Sequence, residues 1–309
     1  MNLDAAVAKS VVVLTGPTAS SKSEVALLLA EQLRGEIVSV DSMQVYRGMD
    51  IGTAKPSMAE RAKTPHHLID VVDVTQSFDA AQFASAARAA IDEIQARGNR
   101  AILCGGTGLY FSALFSGVGT APAADPKLRR TLEQTPAKEL LRELAERDPV
   151  TYAKIDHKNP RRVIRAVEVI RQTGGPFSEH KSNWELRSVT PHAFALRRAP
   201  ADLHRRISDR VDAMFARGLV EETRRLLEHG LANNRTAMQA LGYRQVVEHL
   251  RGERTLDETI ELIKLRTRQF AKRQLTWFRN QLQPTWIDVA PAETAMEIAA
   301  SIRRLMRDG

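Results

Sequence analysis

Short, mostly apolar runs alternate with helical patterns along the first third of the chain. Residues 11–14, 37–40 and 101–104 are rich in aliphatic side chains, and each run has the length of a buried strand. Apolar residues recur at helical spacing over residues 23–33 and 81–96. Buried strands that alternate with helices are typical of a parallel sheet with helices on its faces, so the pattern predicts an α/β fold.

The middle of the chain has a different pattern. A linker-like stretch at residues 121–126 precedes two amphipathic helical patterns over residues 138–147 and 161–172, and the second pattern breaks at residues 173–176. Residues 192–196 again have the pattern of a strand, helices dominate residues 203–282, and a last strand over residues 286–289 precedes a terminal helix. We therefore predict a core built from residues 1–120 and 191–309, with residues 121–190 inserted as a helical domain.

Charge is distributed unevenly along the 309 residues. Residues 1–120 carry 10 Lys and Arg against 12 Asp and Glu, whereas residues 121–309 carry 35 against 25, so the net charge of +8 comes from the C-terminal part. Such a surplus favours an anionic macromolecular partner, nucleic acid first, although a solvated, arginine-rich helical surface gives the same count.

The remaining composition excludes several classes of protein. No run approaches the roughly 18 apolar residues of a membrane span, and the N-terminus lacks the pattern of a signal peptide. The single cysteine, Cys104, excludes a disulfide within the chain and a cysteine-rich zinc site. We expect a cytoplasmic protein.

A glycine-initiated loop follows the first predicted strand and precedes the first predicted helix. Backbone N–H groups and the helix N-terminus bind phosphate in such a loop, a lysine neutralises its charge, and the next hydroxyl binds Mg²⁺. Ser21 occupies the second glycine position of the pattern; if it takes a positive φ, we expect its replacement by glycine to relieve strain and tighten phosphate binding. The loop consists of Gly16, Pro17, Thr18, Ala19, Ser20, Ser21, Lys22 and Ser23.

Two further motifs lie where the second and third predicted strands end. Asp41 follows the second strand, at the sheet edge where active sites of α/β proteins lie, and could act as a base, hold Mg²⁺ through water, or cap a turn. The third strand ends in Gly105-Gly106-Thr107-Gly108, which allows the backbone to approach a ligand closely. ATP-hydrolysing P-loop proteins normally have an aspartate there, so this strand argues against ATP hydrolysis.

Two other features have structural explanations. His66 and His67 are adjacent, but no further metal-binding side chain stands at helical ligand spacing, so we expect a structural role. Residues 264–279 combine six Lys and Arg with three aromatic residues. Basic groups between aromatic rings suit single-stranded RNA, but we expect the aromatic rings to be part of the core.

These motifs together resemble those of the bacterial tRNA dimethylallyltransferases, also called tRNA isopentenyltransferases. The resemblance extends over nearly the whole chain, and residues 41–56 are its most specific part because ordinary nucleotide kinases lack this block. The segments that carry it are GPTASSKS (16–23), DSMQVYRG (41–48), IGTAKP (51–56), HHLID (66–70), GGTGLY (105–110), NPRRVIRA (159–166), GYR (242–244) and QLTWFR (274–279).

The resemblance implies transfer of a dimethylallyl group from dimethylallyl diphosphate to the exocyclic amine (N6) of the adenosine 3′-adjacent to the anticodon of tRNA, with Mg²⁺ as cofactor. It implies a P-loop-type parallel sheet flanked by helices, whose loop binds the isoprenoid diphosphate and whose Ser23 is the metal ligand. Asp41 matches the general base of the family, and Thr107 matches the residue beside the reacting amine. Arg206 and Arg210 match positions near the diphosphate.

The resemblance also implies where tRNA binds. The helical insertion corresponds to the anticodon-loop-binding domain of the family, and the single cysteine excludes the C-terminal zinc finger of the eukaryotic relatives. We expect a monomer that binds the anticodon stem-loop of tRNA and dimethylallyl diphosphate, and no membrane. The positions that match tRNA-contacting segments are Asp41, Ser42, Met43, Gln44, Thr107, Arg129, Arg161, Arg162, Val163, Ile164, Arg165, Gln239, Ala240, Leu241, Gly242, Tyr243 and Arg244.

Three other functions stay open from the residues. An isopentenyltransferase that acts on free adenine nucleotides would share the N-terminal chemistry but would not need the basic C-terminal part. A small-molecule P-loop kinase is disfavoured by the glycine end of the third strand and by residues 41–56. A non-catalytic RNA-binding protein with a decayed loop is disfavoured because Lys22, Ser23, Asp41 and Thr107 are all present.

Overall fold

A single parallel sheet organises the larger part of the molecule. The computed structural model describes residues 10–180 and 192–308. Within them the strands are β1 (Val12–Thr15), β2 (Gly35–Val40), β3 (His66–His67), β4 (Arg100–Gly105), β5 (Ala193–Arg198) and β6 (Thr285–Val289). They pair in parallel in the order β3-β2-β4-β1-β5-β6. The predicted α/β fold is confirmed.

The helices alternate with these strands and then dominate the second half of the chain. No helix in the described ranges is both long and apolar enough to cross a membrane. The helices are α1 (Lys22–Leu33), α2 (Met58–Lys63), α3 (Ala80–Ala96), α4 (Gly108–Ser116), α5 (Pro126–Gln134), α6 (Ala137–Arg147), α7 (Pro149–Lys154), α8 (Pro160–Thr173), α9 (Phe177–His180), α10 (Pro200–Ala216), α11 (Leu219–Glu228), α12 (Tyr243–Leu250), α13 (Leu256–Gln281) and α14 (Ala295–Asp308).

Both faces of the sheet are covered, which explains why β1 is apolar along almost its whole length. Alternate residues of β1 point to opposite faces, so Val12 and Leu14 pack in one core cluster and Val13 packs in the other. The first cluster includes side chains of α1 and α14, and the second includes side chains of α3, α4, α10 and α13. The strand ends that carry the polar motifs are therefore held by a core on each side.

The chain divides into two compact units, residues 1–115 with 185–309, and residues 116–184. Helices α5 to α9 belong to the second unit, whose core is formed by Leu132, Leu144, Val167 and neighbouring apolar residues. Helix α8 ends at Thr173, and the capping residue Gly174 takes a left-handed conformation with a φ of 78°. The helix ends within the glycine-rich break that the sequence indicates.

His66 and His67 form an edge strand that the sequence pattern does not indicate. They pair with β2, and Nε2 of His67 lies 2.7 Å from a carboxylate oxygen of Glu36. Nδ1 of His66 lies 2.7 Å from the carbonyl oxygen of Thr64. These contacts give both histidines structural roles, and no group of three or more His, Cys, Asp or Glu in the described part of the chain is placed to hold a metal ion.

Candidate active site

Strand β1 leads into a loop that turns the chain into helix α1. Gly16 has a φ of +147°, and a Cβ there would lie 2.9 Å from the carbonyl oxygen of Leu196, so the close approach requires glycine. Ala19 and Ser21 have φ values of 63° and 72°, in a left-handed region that costs non-glycine residues about 1–3 kcal/mol each. Surrounding contacts must therefore impose the conformation of this loop.

Two arginines provide those contacts. Arg206 donates through Nε to the carbonyl oxygen of Ala19 at 2.9 Å and through Nη2 to the hydroxyl of Ser21 at 2.6 Å. The buried guanidinium of Arg198 approaches the carbonyl oxygen of Ser20 to 3.5 Å and the Ser21 hydroxyl to 3.4 Å. Arg206, predicted to lie near a diphosphate, thus contacts the loop itself.

Lys22 and Arg210 bring positive charge to the same region. Nζ of Lys22 donates to the carbonyl oxygen of Pro17 at 3.2 Å, and burial lowers the pKa of this ammonium. Burial also lowers the pKa of the Arg210 guanidinium, while the negative charge of Asp41 acts in the opposite direction. A bound polyanion would compensate both cations for their lost hydration, so the pair favours an anion at this point.

Asp41 and Thr107 lie beyond the C-terminal ends of β2 and β4, where Ser42 connects their loops. One oxygen of Asp41, Oδ1, accepts hydrogen bonds from the backbone N–H groups of Met43, at 2.8 Å, and Gln44, at 3.3 Å. The Thr107 hydroxyl accepts a hydrogen bond from the backbone N–H of Ser42 at 3.1 Å. Asp41 is therefore a turn aspartate through one oxygen, which leaves Oδ2 as the oxygen suited to accept a proton from a ligand.

Gln274 on helix α13 is a site residue that the sequence analysis missed. Its Oε1 accepts a hydrogen bond from the backbone N–H of Thr18 at 2.9 Å, and its Nε2 donates to the carbonyl oxygen of Gly106 at 2.9 Å. A Cβ on Gly106 would lie 2.2 Å from Nε2, so glycine makes room for the amide. Gln274 joins the glycine-initiated loop to the loop of Thr107. The available signal was a glutamine at a buried position of an amphipathic helix.

Two cavities meet around Lys22. The first has a volume of about 510 Å³, follows the loop and is lined by residues that include Ser21 and Arg206. The second has a volume of about 400 Å³ and is lined by residues that include Asp41 and Thr107. A cationic, N–H-rich cavity therefore adjoins a cavity that contains a carboxylate. The residues that line both are Lys22, Ser23, Gln44, Ala54, Cys104 and Arg210.

Residues of the basic C-terminal part complete the second cavity. Gln239, Leu241, Phe270 and Arg273 line it, and the Arg273 guanidinium lies 5.8 Å from the centroid of the Phe270 ring. From the sequence, the aromatic rings of this segment are expected in the core. That expectation holds for Phe278, which is fully buried, but not for Phe270, which faces the cavity because α13 turns this position toward the site.

Residues 41–56 are fixed by a buried lysine. The side chain of Lys55 is only 1% exposed, and its Nζ donates to the carbonyl oxygen of Tyr46 at 2.9 Å. The same nitrogen forms ion pairs with Asp50 at 2.5 Å and with Asp70 at 2.6 Å. The ion pair with Asp70 joins the motifs at residues 51–56 and 66–70 in one structural contact beside the first cavity.

The segment around Tyr243, predicted to contact tRNA, is partly buried. The Tyr243 hydroxyl donates to Glu222 at 2.6 Å and accepts from the backbone N–H of Gly52 at 3.1 Å, and burial raises its pKa. Gln239 and Arg244 are exposed. Ala240, Gly242 and Tyr243 are buried, although Ala240 also lines the second cavity, and their contact with tRNA stays a prediction.

Two of the predicted tRNA-contacting residues of the second unit, Arg129 and Arg165, share one buried carboxylate. Glu168 forms ion pairs with Arg129 and, at 2.8 Å, with Arg165, and it accepts a hydrogen bond from the backbone N–H of Asp125 at 3.1 Å. Arg129 and Arg165 carry two positive charges against the one negative charge of Glu168, so the three side chains together keep a net positive charge. Arg161 and Arg162 are exposed, whereas Val163 is buried in the core of the unit and the partly buried Ile164 packs against it.

Ser23 is the residue predicted to bind Mg²⁺. It lies in the first turn of α1, is exposed and lines both cavities. Mg²⁺ takes few protein ligands in phosphate sites and completes its octahedron with phosphate and water oxygens. One hydroxyl beside an anion site therefore fits Mg²⁺ that arrives with a diphosphate.

Comparison with known proteins assigns this site to a family. The family model described as IPP transferase matches residues 44–281, from Gln44 to the end of α13. The chain belongs to the IPP transferase family. The matched range includes the loop of Thr107, Gln274 and the arginines beside the loop.

Relatives of this family member align over nearly its whole length. It is 48% identical over 281 residues to tRNA dimethylallyltransferase 1 of Citrifermentans bemidjiense, which covers 90% of this chain and 92% of the relative. The full-length tRNA isopentenylpyrophosphate transferase of Bacillus halodurans has a TM-score of 0.70 and 39% identity over 97% of each chain. A eukaryotic dimethylallyltransferase acting on tRNA has a TM-score of 0.76 and 30% identity over 96% of this chain and 78% of its own. The family expected from the motifs is confirmed.

Proposed function

We propose that this chain transfers a dimethylallyl group from dimethylallyl diphosphate to N6 of the adenosine 3′-adjacent to the anticodon of tRNA, which gives N6-isopentenyladenosine. The observation that carries the proposal is the pair of cavities that share Lys22 and Arg210. One is bounded by a phosphate-type loop and the other by Asp41 and Thr107. The names of the relatives describe the same class of reaction.

The diphosphate occupies the first cavity in this proposal. Backbone N–H groups of residues 19–23, at the N-terminus of α1, donate to its oxygens, and Lys22, Arg206 and Arg210 neutralise its charge. Diphosphate leaves readily only when the charge that develops on it is compensated, and cations held in place beforehand do this without reorganisation. When bound, Mg²⁺ supplies further neutralisation of the phosphate oxygens, and Ser23 is the residue that would hold it.

The acceptor amine occupies the second cavity. The N6 lone pair forms a bond to C1 of the dimethylallyl group, the C1–O bond breaks, and its electron pair leaves with the diphosphate. The amine loses one proton, which Asp41 takes on the oxygen that the turn does not use. The Thr107 hydroxyl accepts from Ser42 and keeps its own O–H donor, with which it can orient the adenine.

The adenosine must leave the stack of the anticodon loop to reach this cavity, as base-modifying enzymes require. Phe270 and Arg273 offer an apolar ring and a cation at the cavity wall, both of which suit an unstacked base and its phosphate. The basic surplus of residues 121–309 supports tRNA as the partner. One chain supplies every group that the proposal uses, so the proposed enzyme acts as a monomer. Its proposed location is the cytoplasm, where it would meet its tRNA substrate.

Product analysis tests the proposal. The protein is incubated with dimethylallyl diphosphate, Mg²⁺ and an anticodon stem-loop RNA, and the RNA is digested to nucleosides for mass analysis. We expect the adenosine 3′ to the anticodon to gain one prenyl group. A matched stem-loop with inosine at that position lacks the exocyclic amine and should give no product. Comparable turnover of free AMP would assign the chain to the nucleotide-modifying alternative, and no transfer to either acceptor would overturn the proposal.

A further inference from the structure

The phosphate-type loop of this chain departs from its pattern at one position. Ser21 stands where the pattern has glycine, and its φ is 72°; Ala19, two residues earlier, has a φ of 63°. Two non-glycine residues in the left-handed region of one short loop persist only where their surroundings impose that conformation. Glycine at position 21 would take this φ without support, so the groups that hold Ser21 here have a role that the glycine pattern does not need.

The support comes from Arg198 and Arg206, which we call the arginine clamp. Arg206 contacts both strained residues: it lies 2.9 Å from the carbonyl oxygen of Ala19 and 2.6 Å from the hydroxyl of Ser21. Arg198 approaches the same hydroxyl to 3.4 Å and is fixed by an ion pair with Asp202 at 2.9 Å. The Ser21 hydroxyl is therefore the point where the two guanidinium groups meet.

We propose that Ser21 is a positioning residue whose hydroxyl holds Arg206 against the loop before the substrate binds. A guanidinium has five N–H donors, and the loop uses two of those of Arg206, so three remain for an anion in the cavity that Arg206 lines. Glycine at this position offers no side-chain acceptor, so Arg206 would lose its anchor on the loop. The inference rests on the proposed function only for the identity of the anion, a diphosphate.

Strain and positioning make opposite predictions for binding. The strained backbone is present with and without the ligand, so it lowers the stability of the folded chain and largely cancels in the affinity. An unanchored arginine must instead be ordered when the anion binds, and ordering one long side chain weakens binding about two- to tenfold. Replacement of Ser21 by glycine should therefore weaken diphosphate binding, contrary to the expectation drawn from the loop pattern alone.

Calorimetric titration with inorganic diphosphate tests this inference on the full chain. We expect Ser21→Ala to weaken binding about two- to tenfold, and Ser21→Gly to weaken it at least as much because it also frees the backbone. Ser21→Asn should bind like the wild type, because asparagine tolerates the left-handed region and offers an acceptor oxygen. Melting temperatures are measured in parallel; a purely structural role would make affinity follow stability, with Ser21→Gly the most stable variant and also the tightest binder.

A double-mutant cycle locates the effect on Arg206. In an Arg206→Met background Ser21→Ala should have no further effect on diphosphate affinity, whereas in an Arg225→Met background its effect should persist. Arg225 is exposed on α11 and lines neither cavity, so the second background removes the same charge without removing a contact to the loop or to the arginine clamp. Tighter or unchanged binding by Ser21→Gly, or an equal effect in both backgrounds, would overturn the inference alone. No binding of diphosphate by the wild type would overturn it together with the proposed function.

Discussion

The buried carboxylate of Glu36 lies beside several hydrogen-bond donors and shows how such neighbours lower a pKa. It is 4% exposed in β2 and accepts hydrogen bonds from Arg97, at 2.8 and 3.0 Å, from Asn99 at 2.8 Å and from His67. The hydrogen bonds from Arg97 contribute most to lowering the pKa of Glu36 to about 2. The side chain joins the edge strand β3 to the end of α3, so its ionisation is linked to the stability of the sheet edge.

We predict that Glu36→Gln reduces the acid sensitivity of the fold. Because the pKa of Glu36 falls from 4.5 in the unfolded chain to about 2 in the folded one, its stabilisation is complete above pH 4.5 and lost as the pH falls toward 2. A shift of this size corresponds to about 3 kcal/mol. Denaturant unfolding at neutral pH and at a pH of about 3 should show a smaller loss of stability for the variant. An identical loss in both proteins would show that this carboxylate is not responsible.

Single residues of the site differ in how far the sequence reveals them. Asp41 and the loops that contain Lys22 and Thr107 follow predicted strands, so their convergence follows from the geometry of a parallel sheet. Gln274 lies 256 residues from Thr18, and the packing of α13 alone brings them together. Equally, the loop pattern shows that Ser21 is unusual, but the arginine that binds its hydroxyl is visible only in three dimensions.

Helices α4 and α13 pack closely because residue 108 has no side chain. A Cβ on Gly108 would lie 2.3 Å from the ring of Trp277. This contact places α13, and therefore Gln274, against the loop of Thr107. The role of Gly108 is thus a packing role between elements, whereas the sequence indicates only that its backbone could approach a ligand.

We predict that Gly108→Ala lowers the free energy of unfolding by about 1–3 kcal/mol, because the added methyl overpacks the contact with Trp277. Combining it with Trp277→Leu should cost less than the sum of the two single changes, since the second change makes the missing room. Urea denaturation measures the free energy of unfolding of the two single variants and of the double variant. The control is Gly175→Ala, where a Cβ would meet its nearest neighbours at an ordinary 3.9 Å. Wild-type stability in Gly108→Ala would contradict the assigned packing role.

Elements with a long apolar run or a clear helical period could be predicted from the sequence, and short ones could not. Strands β1, β2 and β4 have buried runs of valine, isoleucine and leucine. Strand β3 consists of two histidines, too few to show an alternation of apolar and polar residues. It is defined only by the pairing of residues 66 and 67 with β2. Helix α9, of four residues, is equally too short to give a periodic signal.

The charge of the whole molecule leads to a prediction about RNA binding. Arg162 is exposed on α8 in a segment expected to contact tRNA. Arg162→Ala should reduce the slope of log affinity against log salt by about 0.7–0.9 for one lost phosphate contact. Arg171→Ala on the same helix makes the same change in charge, but Arg171 is bound to Glu143 through two nitrogens, so it should leave the slope nearly unchanged. Equal effects of both variants would show that net charge alone matters.

The proposed reaction requires that one molecule separates two tasks: the loop binds the diphosphate, and Asp41 takes the proton. The most direct measurement is the single-turnover rate of prenyl transfer to an anticodon stem-loop by wild type and Asp41→Asn, with dimethylallyl diphosphate affinity measured alongside. We predict a rate lower by about 10²–10⁴ and a nearly unchanged affinity, whereas Lys22→Ala should lower both. A near-normal rate for Asp41→Asn, under conditions in which the chemical step is limiting, would contradict the assignment of Asp41 as the base.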